Sequence, residues 1–382
     1  MTRNSVRPVS VPLAIGFLVF VGVCFGERVV ANAQSASEKS NLSAGVLLAP
    51  KAFRAAAARV MKSLVTIDSF GGVGSVQGRI GGIRRQGEGS TTGIIVSPDG
   101  YVITSSFNFI QKPPIITLTT FDGKKHVAKA VANDHTRKLT LLKIENATGL
   151  MVPRFLSPDN ITVGQWAISV GIGFGDINPA ISAGIVSAKN RAFGRAIQTD
   201  ANISPANYGG PLLDIRGQVI GVCVPLNPKS NSLASGVEWY DSGIGFAIPL
   251  NDQSIIEKLK TGKDIYPGRM GVTVKPENLD GSGVKVVSVL SKSAAEKAGL
   301  KKNDLILKLG KYTVQDPAQF RSLVGRFNAG QTTQVRLKRG GKEQTSDLTF
   351  SIRTAKPRPQ TAIKGPAPGQ KNKAPNSKDP KK

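Results

Sequence analysis

The sequence predicts a protein dominated by β-structure with two folded domains, and three observations support this fold class. Its 382 residues include 42 glycines and 23 prolines, and 40% of the residues are hydrophobic, which is enough apolar content for real cores in a turn-rich chain. Glycine-centred turn signals recur between short apolar runs, at 97–100, 121–124 and 215–218. Repeated short strands at this spacing favour closed β-barrels.

The first 33 residues have the layout of a secretory signal peptide. Arg3 and Arg7 precede an apolar run over 9–26, and Ala31-Asn32-Ala33 supplies an A-x-A cleavage site. We therefore predict an exported protein, periplasmic or secreted, that is cleaved after Ala33. The alternative is an uncleaved membrane anchor, because the apolar run is close to the lower limit of about 17 residues for spanning a bilayer.

The chain is strongly basic, with a formal net charge of +26, and loss of residues 1–33 lowers this charge by two, to +24. Such an excess favours acidic partners such as membrane headgroups or polysaccharide. We find no nucleic-acid-binding motif and expect no specific nucleic-acid partner. Cleavage leaves Cys223 as the single cysteine, inside the apolar run 219–224, where we expect a buried inert thiol and no disulfide.

The run Ala206-Asn207-Tyr208-Gly209-Gly210-Pro211 is the most informative motif in the chain. It resembles the nucleophile loop of trypsin-like serine proteases of the HtrA (Deg) family, which ends Gly-Asn-Ser-Gly-Gly-Pro. The resemblance implies two six-stranded β-barrels that end near the run 243–249. Tyr208 stands where the family has its attacking serine, and a hydroxyl at the end of a rigid ring cannot occupy the place of a serine oxygen.

The other two positions of the family's catalytic triad are also replaced. The run 93–104 resembles the segment leading to the catalytic histidine, and Phe107 then stands at the histidine position. The run 134–144 resembles the segment with the orienting aspartate, and Lys138 stands at that position. A serine nucleophile needs a base, and the base needs a carboxylate to fix its tautomer. With Phe107, Lys138 and Tyr208 at these positions, we expect a degenerate triad and no catalytic residue.

An active serine-type endopeptidase that uses displaced catalytic groups is the alternative. The two histidines, His126 and His135, are interpreted as a solvated strand residue and a surface loop residue. A dyad of Ser105 or Ser106 with Lys138 is chemically feasible, because a desolvated lysine can act as a base.

A second unit begins near Arg269. The loop 269–272 resembles the carboxylate-binding loop of PDZ domains, and the run 299–306 resembles the turn and strand that follow in PDZ domains of HtrA proteins. The sequence 293–296 predicts a helix with a capping box, and Asp316-Pro317 predicts the start of a second helix.

In PDZ domains the C terminus of a peptide adds as a strand between the second helix and the strand after the carboxylate loop. The resemblance therefore implies a groove that selects an apolar C-terminal residue. Its predicted residues are Arg269, Met270, Gly271, Val272, Phe320 and Val324. The alternative for each of the four apolar side chains is a place in the core.

These motifs divide the chain into six segments. They are a signal peptide at 1–33, a flexible leader at 34–50, a trypsin-like protease-fold domain at 51–250, a linker helix at 251–266, a PDZ domain at 267–354 and a disordered basic tail rich in proline and lysine at 355–382. We predict an inactive HtrA-like protein that binds peptides or unfolded proteins with apolar C termini, without a cofactor or a metal. The resemblance also implies a homotrimer, for which the predicted apolar helix at 52–64 is the only support in the sequence.

Overall fold

The computed structural model describes residues 48–70, 90–110, 112–173, 178–226, 242–250, 253–276 and 283–352. The predicted signal peptide, the predicted leader up to residue 47 and the predicted tail lie outside the described residues. In the part of the chain that is described, no helix combines the length and the apolar character needed to cross a membrane.

Two closed barrels of six antiparallel strands form the first part of the protein. The first barrel has the strand order β1-β2-β3-β6-β5-β4, with strands Leu64–Phe70 (β1), Thr91–Ile95 (β2), Tyr101–Ser105 (β3), Ile115–Thr119 (β4), Lys125–Asp134 (β5) and Leu139–Ile144 (β6). The second has the order β10-β11-β12-β9-β8-β7, with strands Trp166–Gly171 (β7), Ala180–Asn190 (β8), Ala196–Thr199 (β9), Pro211–Leu213 (β10), Val219–Cys223 (β11) and Gly245–Ile248 (β12).

The three predicted hairpin turns are present, and each depends on its glycine. Gly100, Gly123 and Gly217 have φ values of 99°, 80° and 77°, in the left-handed region that only glycine adopts without strain. These turns connect β2 to β3, β4 to β5 and β10 to β11. The turn chemistry in the sequence therefore fixes where these strands end.

Two helices cover the junction of the barrels. Residues 48–60 form the helix α1, which is followed by a 3₁₀ turn at Met61–Ser63, so the predicted helix at 52–64 ends four residues early because β1 begins at Leu64. The helix α2 spans Gln253–Lys260. Both helices add apolar side chains to one buried cluster that contains strands of both barrels. The cluster includes Ala56, Ala57, Val60, Ile94, Ile168, Ile255 and Leu259.

The second part of the protein is a β-rich unit with its own core. Its sheet has the order β13-β14-β15-β17-β18, and β16 pairs with β15. The strands are Val272–Val274 (β13), Val284–Val289 (β14), Leu305–Leu309 (β15), Tyr312–Thr313 (β16), Thr332–Arg339 (β17) and Lys342–Thr349 (β18). The helices Ala294–Lys297 (α3) and Pro317–Val324 (α4) pack on this sheet.

The two predicted helix caps in this unit have different outcomes. The Asp316 carboxylate accepts the N–H groups of Ala318 and Gln319, both at 2.8 Å, as predicted for an N-cap. Ser293 also caps its helix, by accepting the N–H of Glu296 at 3.2 Å. In a capping box the Glu296 carboxylate would accept the N–H of Ser293, but here it accepts the N–H of Lys292.

Candidate functional site

The loop that carries Tyr208 is held against the first barrel. A 3₁₀ turn at Pro205–Asn207 precedes Tyr208, and the next residue, Gly209, has φ 86°. A Cβ atom on Gly209 would lie 2.1 Å from Thr104 Oγ1 and 2.3 Å from Thr92 O. Only glycine at this position therefore allows the loop to approach the first barrel so closely.

Phe107 lies in the turn that faces this loop. It belongs to a 3₁₀ turn at Ser106–Phe109, directly after β3, and its N–H donates to Ser105 Oγ at 3.3 Å. The neighbouring Asn108 side chain donates to the carbonyl oxygen of Tyr208, also at 3.3 Å. This hydrogen bond links the two turns that would carry base and nucleophile in an active protease.

The two aromatic rings contact each other across the junction of the barrels. The ring centroids of Phe107 and Tyr208 are 5.3 Å apart with an interplanar angle of 87°, which is a favourable edge-to-face packing. Only 2% of Phe107 and 3% of Tyr208 is exposed. Both belong to a buried cluster with side chains of the second barrel, among them Ile161, Ile197, Leu212 and Ala247. An apolar cluster therefore fills the place where a water-accessible polar pair would be needed.

The backbone of the Tyr208 loop is hydrogen-bonded within its own turn. In serine proteases the N–H of the nucleophile residue forms part of the oxyanion hole. Here the Tyr208 N–H donates to Pro205 O at 3.3 Å, inside the 3₁₀ turn. The Ala206 carbonyl accepts Thr92 Oγ1 at 3.1 Å. The Tyr208 N–H, which an oxyanion would require as a donor, thus forms a hydrogen bond inside the turn instead.

Lys138 lies at the start of β6, next to the turn that carries Phe107. Its carbonyl oxygen accepts the N–H of Ser106 at 2.9 Å, its φ is 59°, and the residue is buried. The carboxylate of Asp134 on the same loop forms an ion pair with Arg137 at 2.8 Å and accepts two N–H groups of its own loop. Asp134 is therefore already engaged within its own loop.

Ser105 and Ser106, the serines considered for a displaced dyad, are both buried. The Ser106 hydroxyl accepts Thr140 Oγ1 at 3.0 Å, and Ser105 Oγ accepts the N–H of Phe107. A substrate carbonyl could not reach either oxygen without movement of the surrounding structure.

The remaining nucleophile and base candidates are Cys223 and the two histidines. Cys223 is fully buried, as predicted, and this burial raises the pKa of its thiol to about 12, which keeps the thiol protonated at neutral pH. His126 lies half-buried on β5. His135 lies partly exposed in the turn after β5, as predicted, and in addition its ring stacks on Tyr266 at 4.5 Å and pairs with Asp264 at 2.9 Å.

Asp264 holds the linker against the first barrel. Burial opposes ionisation of its carboxyl group, but hydrogen bonds from the Asn133 N–H, His135 and Tyr266 together keep its pKa below the usual value. The carboxylate is therefore ionised at neutral pH and suited to its contact with His135.

A cavity of about 510 Å³ lies beside α4, and all six predicted groove residues line it. Met270 and Phe320 are buried members of the core of this unit, whereas Val272 and Val324 are partly exposed. Residues of the core therefore also line the cavity, so a place in the core does not exclude a place in the groove.

The loop at the end of this cavity requires a glycine. Gly271 has φ 84°, and a Cβ atom there would lie 2.3 Å from Ser293 Cβ. The carbonyl of Met270 accepts the N–H of Ala295 at 2.8 Å, and that of Gly271 accepts the N–H of Leu290 at 2.9 Å. The loop is thus fixed on α3 before any ligand arrives.

Phe193 also lines the cavity, and the sequence analysis missed it. It comes from the turn Arg191–Gly194 between β8 and β9 of the second barrel, where Ala192 and Phe193 have φ values of 47° and 62°. A Cβ atom on Gly325 would lie 2.5 Å from the Phe193 ring, so the ring packs directly on the end of α4. No sequence signal marks this contact, because it joins distant segments through two non-glycine residues in the left-handed region.

Three arginines give the cavity a positive wall. Arg195, Arg269 and Arg321 line it, and no acidic residue is among its described lining residues. Burial, with a contribution from Arg137, lowers the pKa of the Arg195 guanidinium to about 9, which still leaves a cation at neutral pH. Its Nη2 donates to Phe327 O and Asn328 Oδ1, both at 3.3 Å. The cavity is therefore apolar at its floor and cationic at its edge.

Comparison with known proteins gives the same two-part division. Residues 91–222 match the family model of the trypsin-like peptidase domain, and residues 268–350 match that of the PDZ domain. A probable periplasmic serine endoprotease DegP-like of Marinomonas sp. (strain MWYL1) is 33% identical over 291 residues, which cover 72% of this chain and 60% of the relative. The protein of the same name from Chlamydia pneumoniae is 35% identical over 276 residues, which cover 68% of this chain and 54% of the relative. The chain thus spans little more than half the length of these relatives.

Solved structures agree with this division. The HtrA-type protease AlgW with tripeptide is 25% identical, and the alignment covers 79% of this chain and 98% of that one with a TM-score of 0.61. The serine endoprotease from Yersinia pestis is also 25% identical, covering 78% and 97% with a TM-score of 0.56. The predicted fold class of a trypsin-like double barrel followed by a PDZ domain is confirmed. The chain is therefore an HtrA/DegP-like protein with a trypsin-like peptidase domain and one PDZ domain.

Proposed function

We propose that this protein is a catalytically inactive HtrA-like protein that binds peptides or unfolded proteins through its PDZ domain. The observation that carries the proposal is the buried, edge-to-face contact of Phe107 and Tyr208 at the positions of the base and the nucleophile. Acyl transfer needs an attacking oxygen and a group that accepts its proton. Phe107 cannot accept a proton, and the Tyr208 ring lies inside an apolar cluster.

The missing aspartate would not be replaced by its neighbours. Lys138 brings a positive charge to the position whose role is to stabilise an imidazolium ion. The Tyr208 N–H is committed to Pro205 O, so stabilisation of an oxyanion would first require this turn to open. Each of the three parts of the serine-protease mechanism is thus obstructed by a separate feature.

The cavity beside α4 suits the C terminus of a peptide. Its apolar floor, formed by Met270 and Phe320, would hold an apolar terminal side chain, and its arginine-rich edge would attract the terminal carboxylate. The exposed edge of β13 next to the 269–272 loop would then pair with the peptide backbone. The relative AlgW was solved with a tripeptide, which supports peptide recognition by proteins of this type.

The second candidate function is that of an active serine endopeptidase, and the names of the DegP-like relatives favour it. Such an activity would require displaced catalytic groups, for example Ser105 or Ser106 with Lys138. Both hydroxyls are buried and hydrogen-bonded to neighbours, so this function would demand a rearrangement of the turn at Ser106–Phe109.

Incubation of the mature protein with unfolded casein separates the two functions. We expect no proteolytic fragments at molar excess of protein over long incubation, while an active serine protease in the same buffer degrades the casein. The Phe320→Ala variant should leave this negative result unchanged but weaken binding of a fluorescent peptide with an apolar C terminus. Fragments that appear with the wild type and persist after removal of trace proteases by repeated chromatography would establish the endopeptidase.

Export and assembly belong to the same proposal. The relatives are named periplasmic, in keeping with the signal-peptide layout of residues 1–33, and we propose cleavage after Ala33. We also propose a homotrimer formed through the amino-terminal segment, where Leu48 is 59% exposed, together with the neighbouring Trp166 of β7, which is 46% exposed. Phe53 packs edge-to-face on Trp166 at 5.1 Å, so these aromatic residues form one surface. Light scattering of the mature protein tests this, and a monomer at micromolar concentration would exclude the trimer.

A further inference from the structure

A second cavity, of about 520 Å³, lies on the double barrel and shares no lining residue with the peptide groove. It lies where the end of α1 meets the segment 151–154, which connects the barrels, and the β10–β11 turn. Its walls combine cationic and apolar side chains, and we call it the arginine pocket. It is lined by Arg59, Arg154, Arg216, Ser63, Met151 and Pro153, with a few neighbours.

The charge of the arginine pocket is not balanced within the described residues. No acidic residue lines it, and in the described ranges none of its three arginines forms an ion pair. Asp214, on the same turn, is buried and its Oδ1 accepts the N–H groups of Arg216 and Gln218 at 3.0 and 2.7 Å. The nearby carboxylate thus holds the turn, and three guanidinium groups border a space where they repel one another.

The turn is held rigidly before any ligand arrives. Arg59 Nη1 donates to the carbonyl oxygen of Arg216 at 2.6 Å. A Cβ atom on Gly217 would lie 2.9 Å from Ala56 O, so the turn packs closely on α1. The Val219 N–H donates to Arg154 O at 2.8 Å. A site whose walls are fixed in this way loses little entropy on binding.

An unsatisfied hydroxyl provides independent support for a ligand. Ser63 borders the arginine pocket and is 1% exposed, and its Oγ has no hydrogen-bond partner within the described part of the chain. Buried hydroxyls nearly always have a partner, because leaving one unpaired is costly. A small movement of the Ser63 side chain toward the pocket would let an oxygen-rich anion provide the missing acceptor.

We propose that the arginine pocket binds a phosphate group, carried either by a small soluble phosphate or by a phospholipid headgroup. Guanidinium groups form paired hydrogen bonds to phosphate oxygens. Three cations and a hydroxyl match a doubly charged tetrahedral anion better than a single carboxylate. The apolar wall of Met151 and Pro153 would contact the organic part of the ligand.

The test measures binding by the mature full-length protein in low salt. Glycerol 3-phosphate is titrated by calorimetry, and vesicles of phosphatidylglycerol are compared with neutral phosphatidylcholine vesicles by flotation. The double variant Arg154→Gln/Arg216→Gln should lose at least about tenfold in affinity. Arg54→Gln, which removes one positive charge from an exposed position of α1 outside the pocket, should bind within about twofold of the wild type.

The two binding assays decide which source supplies the phosphate, and the variants decide whether the arginine pocket is the binding site. Binding in solution assigns the site to soluble phosphates, and binding to anionic vesicles alone assigns it to headgroups. The proposal is overturned if neither probe binds, or if Arg54→Gln weakens binding as much as the double variant, since the attraction would then follow the overall charge.

A substitution of the buried hydroxyl adds a readout that a structural role alone would not give. Ser63→Ala should lower phosphate affinity about threefold while the Tm of the free protein stays equal or rises, because the unpaired hydroxyl is removed. A lower Tm with unchanged affinity would show that Ser63 stabilises the fold and takes no part in the site.

Discussion

Replacement of Tyr208 by serine should cost stability without returning activity. The ring is 3% exposed and makes an edge-to-face contact with Phe107 at 5.3 Å. Removal of a buried aromatic side chain costs about 3–5 kcal/mol, of which the edge-to-face geometry accounts for about 1 kcal/mol. For a domain of this size we expect a fall in Tm of roughly 10 °C.

The assay is unfolding followed by tryptophan fluorescence. Both tryptophans of the chain lie before residue 250, so the signal reports the double barrel. A double-mutant cycle of Phe107→Leu with Tyr208→Leu isolates the ring contact, and we expect a coupling of about 1 kcal/mol. As control, Phe246→Leu with Tyr208→Leu should be additive within about 0.5 kcal/mol, because Phe246 belongs to a different buried cluster.

Restoration of all three triad residues extends the same reasoning. Phe107→His, Lys138→Asp and Tyr208→Ser together should lower Tm further and give at most weak cleavage of casein, because Ala206 and the committed Tyr208 N–H still obstruct the oxyanion loop. A coupling energy near zero between the rings, or a triple variant that is both more stable and fully active, would refute the idea that an apolar contact closes the former active site.

Three further predictions concern the PDZ domain. Burial disfavours the charged form of Asp304, but hydrogen bonds from Arg339 and a backbone N–H hold its pKa below 3.8. The stabilisation of the folded state by this carboxylate is complete above about pH 4 and is lost as the pH falls toward the folded pKa. Calorimetry of Asp304→Asn should therefore show a lower Tm at pH 7, and this Tm should change less on acidification than that of the wild type. Gly325→Ala places a methyl group 2.5 Å from the Phe193 ring and should increase hydrogen exchange in the β8–β9 turn, whereas unchanged exchange would mean that the ring adapts. Deletion of residues 266–382 should abolish binding of peptides with apolar C termini in fluorescence anisotropy, and undiminished affinity would place the peptide site on the barrels.

The sequence predicted the barrels because local chemistry and fold agree there. Gly100, Gly123 and Gly217 mark turns by a backbone requirement that is visible in the residue itself. The contact between Phe107 and Tyr208 could also be expected, since both positions are defined by motifs with a fixed place in the fold. In these cases a short segment carries the whole signal.

Contacts between distant segments that no motif marks could not be predicted. Phe193 reaches the peptide cavity because Ala192 and Phe193 adopt left-handed backbone conformations, for which neither residue has a preference. The stacking of His135 on Tyr266 likewise depends on how the linker returns to the first barrel. Such contacts follow from tertiary packing, and no periodicity or turn residue in the sequence indicates them.

Covalent labelling by a fluorophosphonate tests the central claim most directly, because the reagent reacts with an activated serine whichever residue activates it. Intact-mass spectrometry of the mature wild-type protein after prolonged exposure should show the unmodified mass only, while an active serine protease in the same tube is fully labelled. An adduct of one fluorophosphonyl group per chain, mapped to a serine and lost on denaturation before labelling, would contradict the account and show that an active nucleophile survives in this fold.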